Sequence, residues 1–569
     1  DVVRADARIL DDEPPEAARD KLRARLGELD LGDNGASIED ALQAVLAIGE
    51  PRDRPREELF DAWRRYLGAI ARLEPLVLVV EDIHWADDGV LSFLDFLARW
   101  GEGPMVILCL ARHELLGIRP GWGGGLPNAA AIVLEPLDAE ASSALMEGLL
   151  EGGVPPDLRE RVTSLAEGNP LFAEEMVRML VDRGALRFTD GHWQLAVPVN
   201  EIEIPGSVQS VLAARLDTLP SHEKRVAQDA AVIGRIFWDR LVAHVSSDGL
   251  APTIERIRGL RVKDLVVHRE PSSLAGAAEY GFRHVLTRDV AYDSLPKRER
   301  SRLHVEVARW VETELADRID EFAELIASHL EAALAYEEEL SVGDGAERGD
   351  LRGLTQAAAL RAARRASAMS QLAPAGRWYR LAIAQAVELA AGPRDIAALA
   401  DEYAKAAWTA GDPADREAVM AGAVAGMLTL ADPGPADEQL VASLRSVQGE
   451  ARYETGDVDG ARALLQEGIS ALEPGPPSPG RAKLLAFLGW TYWRAGPVEE
   501  ATPWLERAVH EAEVGADAET LRWAKHDLGI SYAFLGRLDE AIELLEESFR
   551  LARAADDRNL LLRCYINVP

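Results

Sequence analysis

The sequence predicts a multidomain chain: an incomplete parallel α/β sheet, a helical segment with a winged-helix-like unit, and an α-solenoid of helical hairpins. Three observations carry this. The stretch Leu76 to Asp88, LVLVVEDIHWADD, opens with five apolar residues and closes in acids, the pattern of a strand buried on both faces as in parallel sheets. A strand, helix, strand, loop, strand order runs on from it. Beyond Gly449, small and apolar residues recur every 40 positions.

At 569 residues the chain is too long for one hydrophobic core, and 48% hydrophobic content excludes wholesale disorder. The 62 basic and 96 acidic residues leave a net charge of −34, which repels phosphate backbones and makes nucleic acid a poor partner for the chain as a whole. With only Cys109 and Cys564 there is no disulfide framework and no cysteine metal site, which fits a reducing cytoplasm. The apolar runs Leu76 to Val80 and Met105 to Ala111 fall far short of the ~20 residues of a spanning helix. The sequence starts at Asp1 without a signal-peptide pattern and stops at Pro569 within a helical pattern, as expected of a fragment.

Taken in order, AARDKLRARLGEL, IEDALQAVLAIG and REELFDAWRRYLGAIARL carry apolar residues at three- and four-residue spacing and predict helices. LSFLDFLARW predicts a short amphipathic helix, MVILCLA a second buried strand ending in Arg112, and AIVLEPL a third strand after the loop GWGGGLPN. Helices follow from Asp138 to about Gly184, broken by the turn EGNP, and ALRFTDGHWQLAV reads as a hairpin turning at Asp190 and Gly191. Helices, then the alternating segments VVHRE and EYGFRH, indicate the winged-helix-like unit, and helix dominates from Lys297. The boundaries drawn from these patterns are 1–137, 138–204, 205–315 and 316–569.

The 40-residue register aligns Gly449, Gly489 and Gly529; Gly456, Gly496 and Gly536; Ala461, Ala501 and Ala541; Leu465, Leu505 and Leu545. Small residues at recurring sites let antiparallel helices approach, and a large residue fills the next layer. The pattern resembles tetratricopeptide repeats with a longer period, which longer helices would supply. LAPAGRWYRLAIAQAVEL and AAWTAGDPADREAV look like degenerate members.

The acids at the end of the first strand carry the chemistry. In an open α/β sheet the ligand crevice lies at the carboxyl ends of the strands, and two adjacent carboxylates there suit hydrated Mg²⁺ and the polarising of a water. This is a Walker B pattern; an acidic turn after a core strand is the plainer alternative. With IHWADD following, it resembles the "hhhhEDxHWAD" signature of the signal-transduction ATPases with numerous domains. These AAA-like ATPases precede bacterial adenylate cyclases and occur in large LuxR-type regulators. The resemblance implies ATP or ADP with Mg²⁺ as ligands, Glu81 holding Mg²⁺ through water, and Asp82 orienting the attacking water; His84 and Trp85 would pack the turn. Arg112, at the crevice rim, reads either as an exposed arginine or as the γ-phosphate sensor of similar ATPases, a role suited to a bidentate guanidinium.

EGNPLFAEEM serves equally as a helix stop and restart. It also resembles the family's GNP motif, in which Asn169 and Pro170 would contact nucleotide and the proline packs on adenine. FRHVLTRDVAYDSL resembles the segment closing the family's winged-helix lid. His284 is then a second sensor of nucleotide state, or alternatively a helix N-terminal histidine packed on Tyr292. Arg256, Arg258, Arg261 and Lys263 on one helix invite a DNA-binding reading, against which stand the acidic total and an ordinary solvated face.

None of the seven lysines lies in G-x-x-x-x-G-K-[ST], so the phosphate-cradling loop is not within these residues, and family architecture would place it upstream of Asp1. The implied function is an ATP-dependent regulatory switch, with a protein partner or small-molecule inducer on the solenoid, within an adenylate or guanylate cyclase. A LuxR-type transcription regulator is the alternative, a non-hydrolysing scaffold the second, and each is compatible with an oligomer. Without the amides and lysine of that loop, residues 1–569 are expected to bind ATP weakly or not at all, and submicromolar affinity by calorimetry would overturn the fragment reading.

Overall fold

The computed structural model describes residues 2–49, 55–126, 128–150, 153–189, 191–196, 198, 205–340, 345–407, 411–430, 434–473 and 475–567. Asp1, the expected turn residue Asp190 and Pro569 lie outside the described residues. The described chain is mostly helical and divides into two compact units, one running to Leu340 and one from Gly345 onward.

The first unit begins with helices Pro15–Gly27, Gly35–Val45 and Arg56–Leu73, at the places their apolar spacing predicts. Strand β1 (Leu76–Val80) pairs in parallel with β2 (Met105–Cys109), Leu76 opposite Met105 and Val80 opposite Cys109. Between them runs helix Asp88–Trp100, started by Asp87, whose side chain accepts from the Val90 amide at 2.8 Å. Leu78, Val80, Ile107 and Cys109 pack with Ile83, Leu91, Leu94 and Leu115.

Two expectations for this sheet are corrected. The strands are covered on one face only: Val77 and Val106 on the other are 61% and 60% exposed. The described helices lie against a single side, so the apolar run alternates in burial although it does not alternate in sequence. The third strand does not form. Residues 131–137 have no regular secondary structure, and Ile132, Val133 and Leu134 are exposed. A strand exists only through a ladder of bonds to a neighbour's backbone groups, and the bond from the Leu137 amide to Gly168 O at 2.8 Å joins this segment to a helix turn rather than to a strand.

Helices Ala139–Leu149, Pro156–Ala166 and Pro170–Asp182 follow and pack with the hairpin β3 (Leu186–Thr189) and β4 (His192–Leu195) in one core around Met146, Leu158, Val162, Met176 and Leu180. Next come helices Val208–Asp217 and Ser221–Ile233, strand β5 (Ile236–Trp238), helices Asp239–Val245 and Leu250–Val262, then β6 (Val266–Arg269) and β7 (Glu279–Phe282). The last three strands make an antiparallel sheet in the order β5, β7, β6. Phe237, Tyr280 and Phe282 from its strands pack with Val226, Val242, Ile257 and Leu260 from its helices. Three of the basic side chains of this helix and its end are paired: Arg256 with Asp248 from the preceding turn, Arg258 with Glu255 of the same helix at 2.8 Å, and Lys263 with Glu223 from helix Ser221–Ile233 at 2.6 Å. Helices Val285–Asp293, Lys297–Glu314 and Ala323–Leu340 close the unit.

The second unit is a run of eleven described helices, ending in the regular set Pro435–Glu454, Val458–Leu472, Pro479–Ala495, Val498–Val514, Ala518–Phe534, Leu538–Ala554 and Arg558–Asn567. Two 17-residue helices and two three-residue turns fill the 40-residue period, which accounts for its excess over ~34. The recurring glycines and leucines meet as the repeat logic requires. A Cβ built on Gly449 falls 2.8 Å from Leu465 Cγ, on Gly489 2.6 Å from Leu505 Cγ, and on Gly529 2.8 Å from Leu545 Cγ. Each leucine thus occupies the space of the absent side chain on its partner helix. The turn glycines are less uniform: Gly456 and Gly536 are left-handed at φ 94° and 79°, while Gly496 is extended because Pro497 follows it.

Gly529→Ala is expected to lower stability by about 1–3 kcal/mol by driving a methyl into Leu545. Adding Leu545→Ala relieves that contact, so thermal melts of the two single variants and the double variant should give costs that do not sum. Glu450 gives a pH-dependent counterpart. Its side chain is buried, Oε2 has no hydrogen-bond partner, and burial pushes its carboxyl up to about 8, with Glu454 adding to the rise and Arg416 opposing it. A raised pKa means that the folded state holds the proton more tightly. The stability this lends is full below the ordinary carboxylate value and is lost as pH rises through about 8. Glu450→Gln should therefore match the parent near pH 4 and exceed it by more than about 1 kcal/mol at pH 9 in denaturant titrations.

Candidate functional site

The site is built on the turn after β1. Asp82 takes a left-handed conformation, φ 54°, which an aspartate tolerates better than a branched residue would. The turn is stitched to the continuation of β2: the Leu110 amide donates to Val80 O at 2.9 Å and the Ile83 amide to Leu110 O at 3.1 Å. Ile83 is buried beneath, so Glu81 and Asp82 project at the carboxyl ends of the strands. His84 is buried too. Its Nδ1 accepts from the Arg112 amide at 3.4 Å, its ring packs on Trp85 with centroids 4.7 Å apart, and the Arg112 guanidinium lies 5.6 Å over that indole. His84 and Trp85 therefore hold the turn against the residue following β2.

Glu81, Asp82 and Arg112 line a cleft of about 290 Å³ with Arg235, Arg283 and His284; Leu110, Leu171, Val285 and Leu286 supply its apolar wall. Arg235 Nη1 lies 3.1 Å from Glu81 Oε2 and 3.8 Å from Asp82 Oδ2. Arg283 donates to Asp264 at 2.7 Å. His284 Nε2 stands 4.0 Å from Glu175 Oε1, and burial lowers its pKa against the opposing pull of Glu175 and Glu174, so the ring is neutral at pH 7. The cleft thus presents two carboxylates facing three guanidiniums and an imidazole.

Of the residues singled out from the sequence, Glu81, Asp82, Arg112 and His284 come together, and Asn169 and Pro170 do not line the cleft. Asn169 caps helix Pro170–Asp182, its side chain accepting from the Phe172 amide at 3.2 Å, and Pro170 takes the first helical position. Gly168, at φ 78°, brings its chain so close to Leu137 that a Cβ there would sit 2.4 Å from Leu137 O. In this structure EGNP is a helix stop and restart; its neighbour Leu171 reaches the cleft. Tyr292 does not pack on His284. It bonds His304 Nε2 at 2.8 Å and the Tyr336 hydroxyl at 2.9 Å. Arg235 and Arg283 were missed. Arg283 stands beside His284 in the FRH segment, a signal that was available, whereas nothing in GRIFWD marks Arg235.

Among the described residues no cluster of three or more His, Cys, Asp or Glu side chains forms a closed metal cage. Two adjacent carboxylates fit Mg²⁺ all the same, because that ion keeps several waters and takes phosphate oxygens for its remaining positions. Among the described residues no helix is long and apolar enough to cross a membrane.

Comparison with known proteins gives two family matches. Residues 4–108 match the AAA ATPase domain family, a stretch containing Glu81 and Asp82 and ending within β2. Residues 521–555 match the tetratricopeptide repeat family. The chain therefore joins an AAA ATPase domain to tetratricopeptide repeat. It is similar to an uncharacterized protein of Rhizobium meliloti (strain 1021), 26% identical over 260 residues, or 44% of this chain and 23% of that one. The chain thus spans about a quarter of the curated relative's length. Among solved structures, the signal transduction ATPase with numerous domains from Pyrococcus horikoshii, which has a tetratricopeptide repeat sensor, aligns over 95% of this chain and 84% of its own at 13% identity and TM-score 0.32. Aspartyl phosphate phosphatase F from Bacillus subtilis aligns over 47% and 73% at 15% identity and TM-score 0.30.

Proposed function

We propose that the chain is the switch and sensor portion of a signal-transduction ATPase with numerous domains. The observation that supports this is the convergence of Glu81, Asp82, Arg112 and His284, from three separate segments, in one cleft at the end of the strands matched to an AAA ATPase domain. In this reading the turn after β1 is a Walker B element. Glu81 would hold Mg²⁺ through water, and Asp82, fixed by the left-handed turn, would accept a hydrogen bond from the attacking water and aim it. Mg²⁺ supplies neutralisation of the phosphate charge when bound. Arg112, steadied over Trp85, would contact the terminal phosphate, and neutral His284 would donate to it from the opposite wall. Asn169 and Pro170 would place the start of their helix beside the nucleotide.

Residues 1–137 then form the nucleotide domain and 138–204 and 205–315 the helical and winged-helix lid; of 316–569, helix Ala323–Leu340 belongs to the first unit and the unit from Gly345 onward is the solenoid that receives a protein partner or small-molecule inducer. Nucleotide state and the bound partner bias the same packing equilibrium. The output follows the motif resemblance, a nucleotide cyclase first and a LuxR-type transcription regulator second. The adjoining coding sequence separates them: a cyclase domain decides for the first and a basic helix-turn-helix unit for the second.

In the intact protein, Asp82→Asn is expected to lower ATP turnover by roughly 100-fold or more while leaving nucleotide affinity within about threefold. Asparagine accepts the left-handed backbone, so the melting temperature stays within about 2 °C of the parent. Turnover at the parental rate would overturn the assignment of Asp82 and favour a non-hydrolysing scaffold.

A further inference from the structure

Among the described residues, Arg235 is the cleft cation that links the turn after β1 to the three-stranded sheet through the acidic pair. It stands 154 residues beyond Glu81, and its backbone is pinned, since its carbonyl accepts from the Phe282 amide at 2.9 Å. From there the guanidinium reaches both carboxylates, 3.1 Å from Glu81 and 3.8 Å from Asp82. The other cleft arginines are held differently, Arg283 by Asp264 and Arg112 over Trp85. The oxygens that Arg235 meets are those a divalent cation would need, and a guanidinium and a dication repel each other at such separations. All three side chains of this contact are more than a third exposed, so it is weak enough to exchange.

We propose that Arg235 is a charge interlock on the acidic pair: its guanidinium and a divalent cation compete for Glu81 and Asp82, so that metal binding releases the contact between the β1 turn and the three-stranded sheet. The proposal rests on reading Glu81 and Asp82 as metal-binding carboxylates. Once displaced, Arg235 lies in the same cleft as Arg112 and Arg283, where a phosphate oxygen is its next acceptor. Loading of a metal–polyphosphate is thereby coupled to the position of β7 and His284, two residues past the Phe282 amide that Arg235 accepts.

The test is Mn²⁺ binding to this chain, followed by the electron paramagnetic resonance of the free ion, in the parent, Arg235→Ala, Arg235→Lys, Glu81→Gln and the Glu81→Gln/Arg235→Ala pair. Loss of the competing charge should tighten Mn²⁺ binding about three- to fivefold in Arg235→Ala, the scale of an exposed ion pair. Arg235→Lys should stay near the parent, and Glu81→Gln should abolish the gain. Hydrogen exchange at residues 279–286 should rise when Mn²⁺ is added to the parent and be already raised in Arg235→Ala without it. Binding that depends on Glu81 but is the same in Arg235→Ala and the parent overturns the interlock and leaves the metal reading standing. Binding that survives Glu81→Gln, or none in any variant, overturns the metal reading itself and the interlock with it.

Discussion

The helices and sheet behind the cleft are tied together by the buried guanidinium of Arg215. Arg215 and Glu175 are almost fully buried and pair at 2.5 Å; Arg215 also donates to Asp182 at 2.8 Å and to the Lys263 carbonyl at 2.8 Å. These bonds tie helix Pro170–Asp182 to helix Val208–Asp217 and to the end of helix Leu250–Val262. A buried charge stripped of its partner costs about 3–5 kcal/mol, so these segments hold their arrangement together. The consequence reaches the cleft. Leu171, at the start of the first of these helices, lines it, and the second oxygen of Glu175 faces His284 at 4.0 Å. The interaction that joins the helical segment to the three-stranded sheet therefore also sets the surroundings of His284.

The cleft uses this rigidity to gather charge from distant parts of the chain. Glu81 and Asp82 stand on a turn whose amides are bonded to the extension of β2, and Arg112 leaves that same extension under the control of His84 and Trp85. Arg235, Arg283 and His284 arrive at the ends of β5 and β7, which pair with each other. Acids and guanidiniums brought together from separately supported segments give the cleft groups for both a cation and an anion, as the proposed switch requires.

The second unit works by a different principle, in which one steric rule is repeated. In the three hairpins of the 40-residue register, Gly and Leu nest at a distance no side chain on the glycine would permit, so each reproduces the same close crossing. Departures carry meaning. Pro497 follows a turn glycine that is extended where its counterparts are left-handed, and Glu450 buries a carboxyl whose Oε2 has no hydrogen-bond partner.

Much of this was legible in the sequence because its signals are local. Helix spacing, the β3–β4 hairpin, the acidic turn after β1 and the 40-residue register all reside in short windows, and backbone geometry turns them directly into helices, strands and hairpins. What failed depended on a neighbour. AIVLEPL has the composition of a strand and no partner strand; LVLVV has the composition of a doubly buried strand and a single covering layer. Asn169 is an amide of the right motif whose hydrogen bond goes to its own helix, and at the end of helix Leu250–Val262 Lys263 meets Glu223 of another helix. Arg235 carried no signal at all, since its partner lies 154 residues away. The sequence by itself thus determined most of the local elements, the repeat and the acidic turn after β1. Only the tertiary structure decided which charges face one another, because long-range electrostatic pairing depends on where chain segments cross in space, and crossing points leave no periodic trace along the chain.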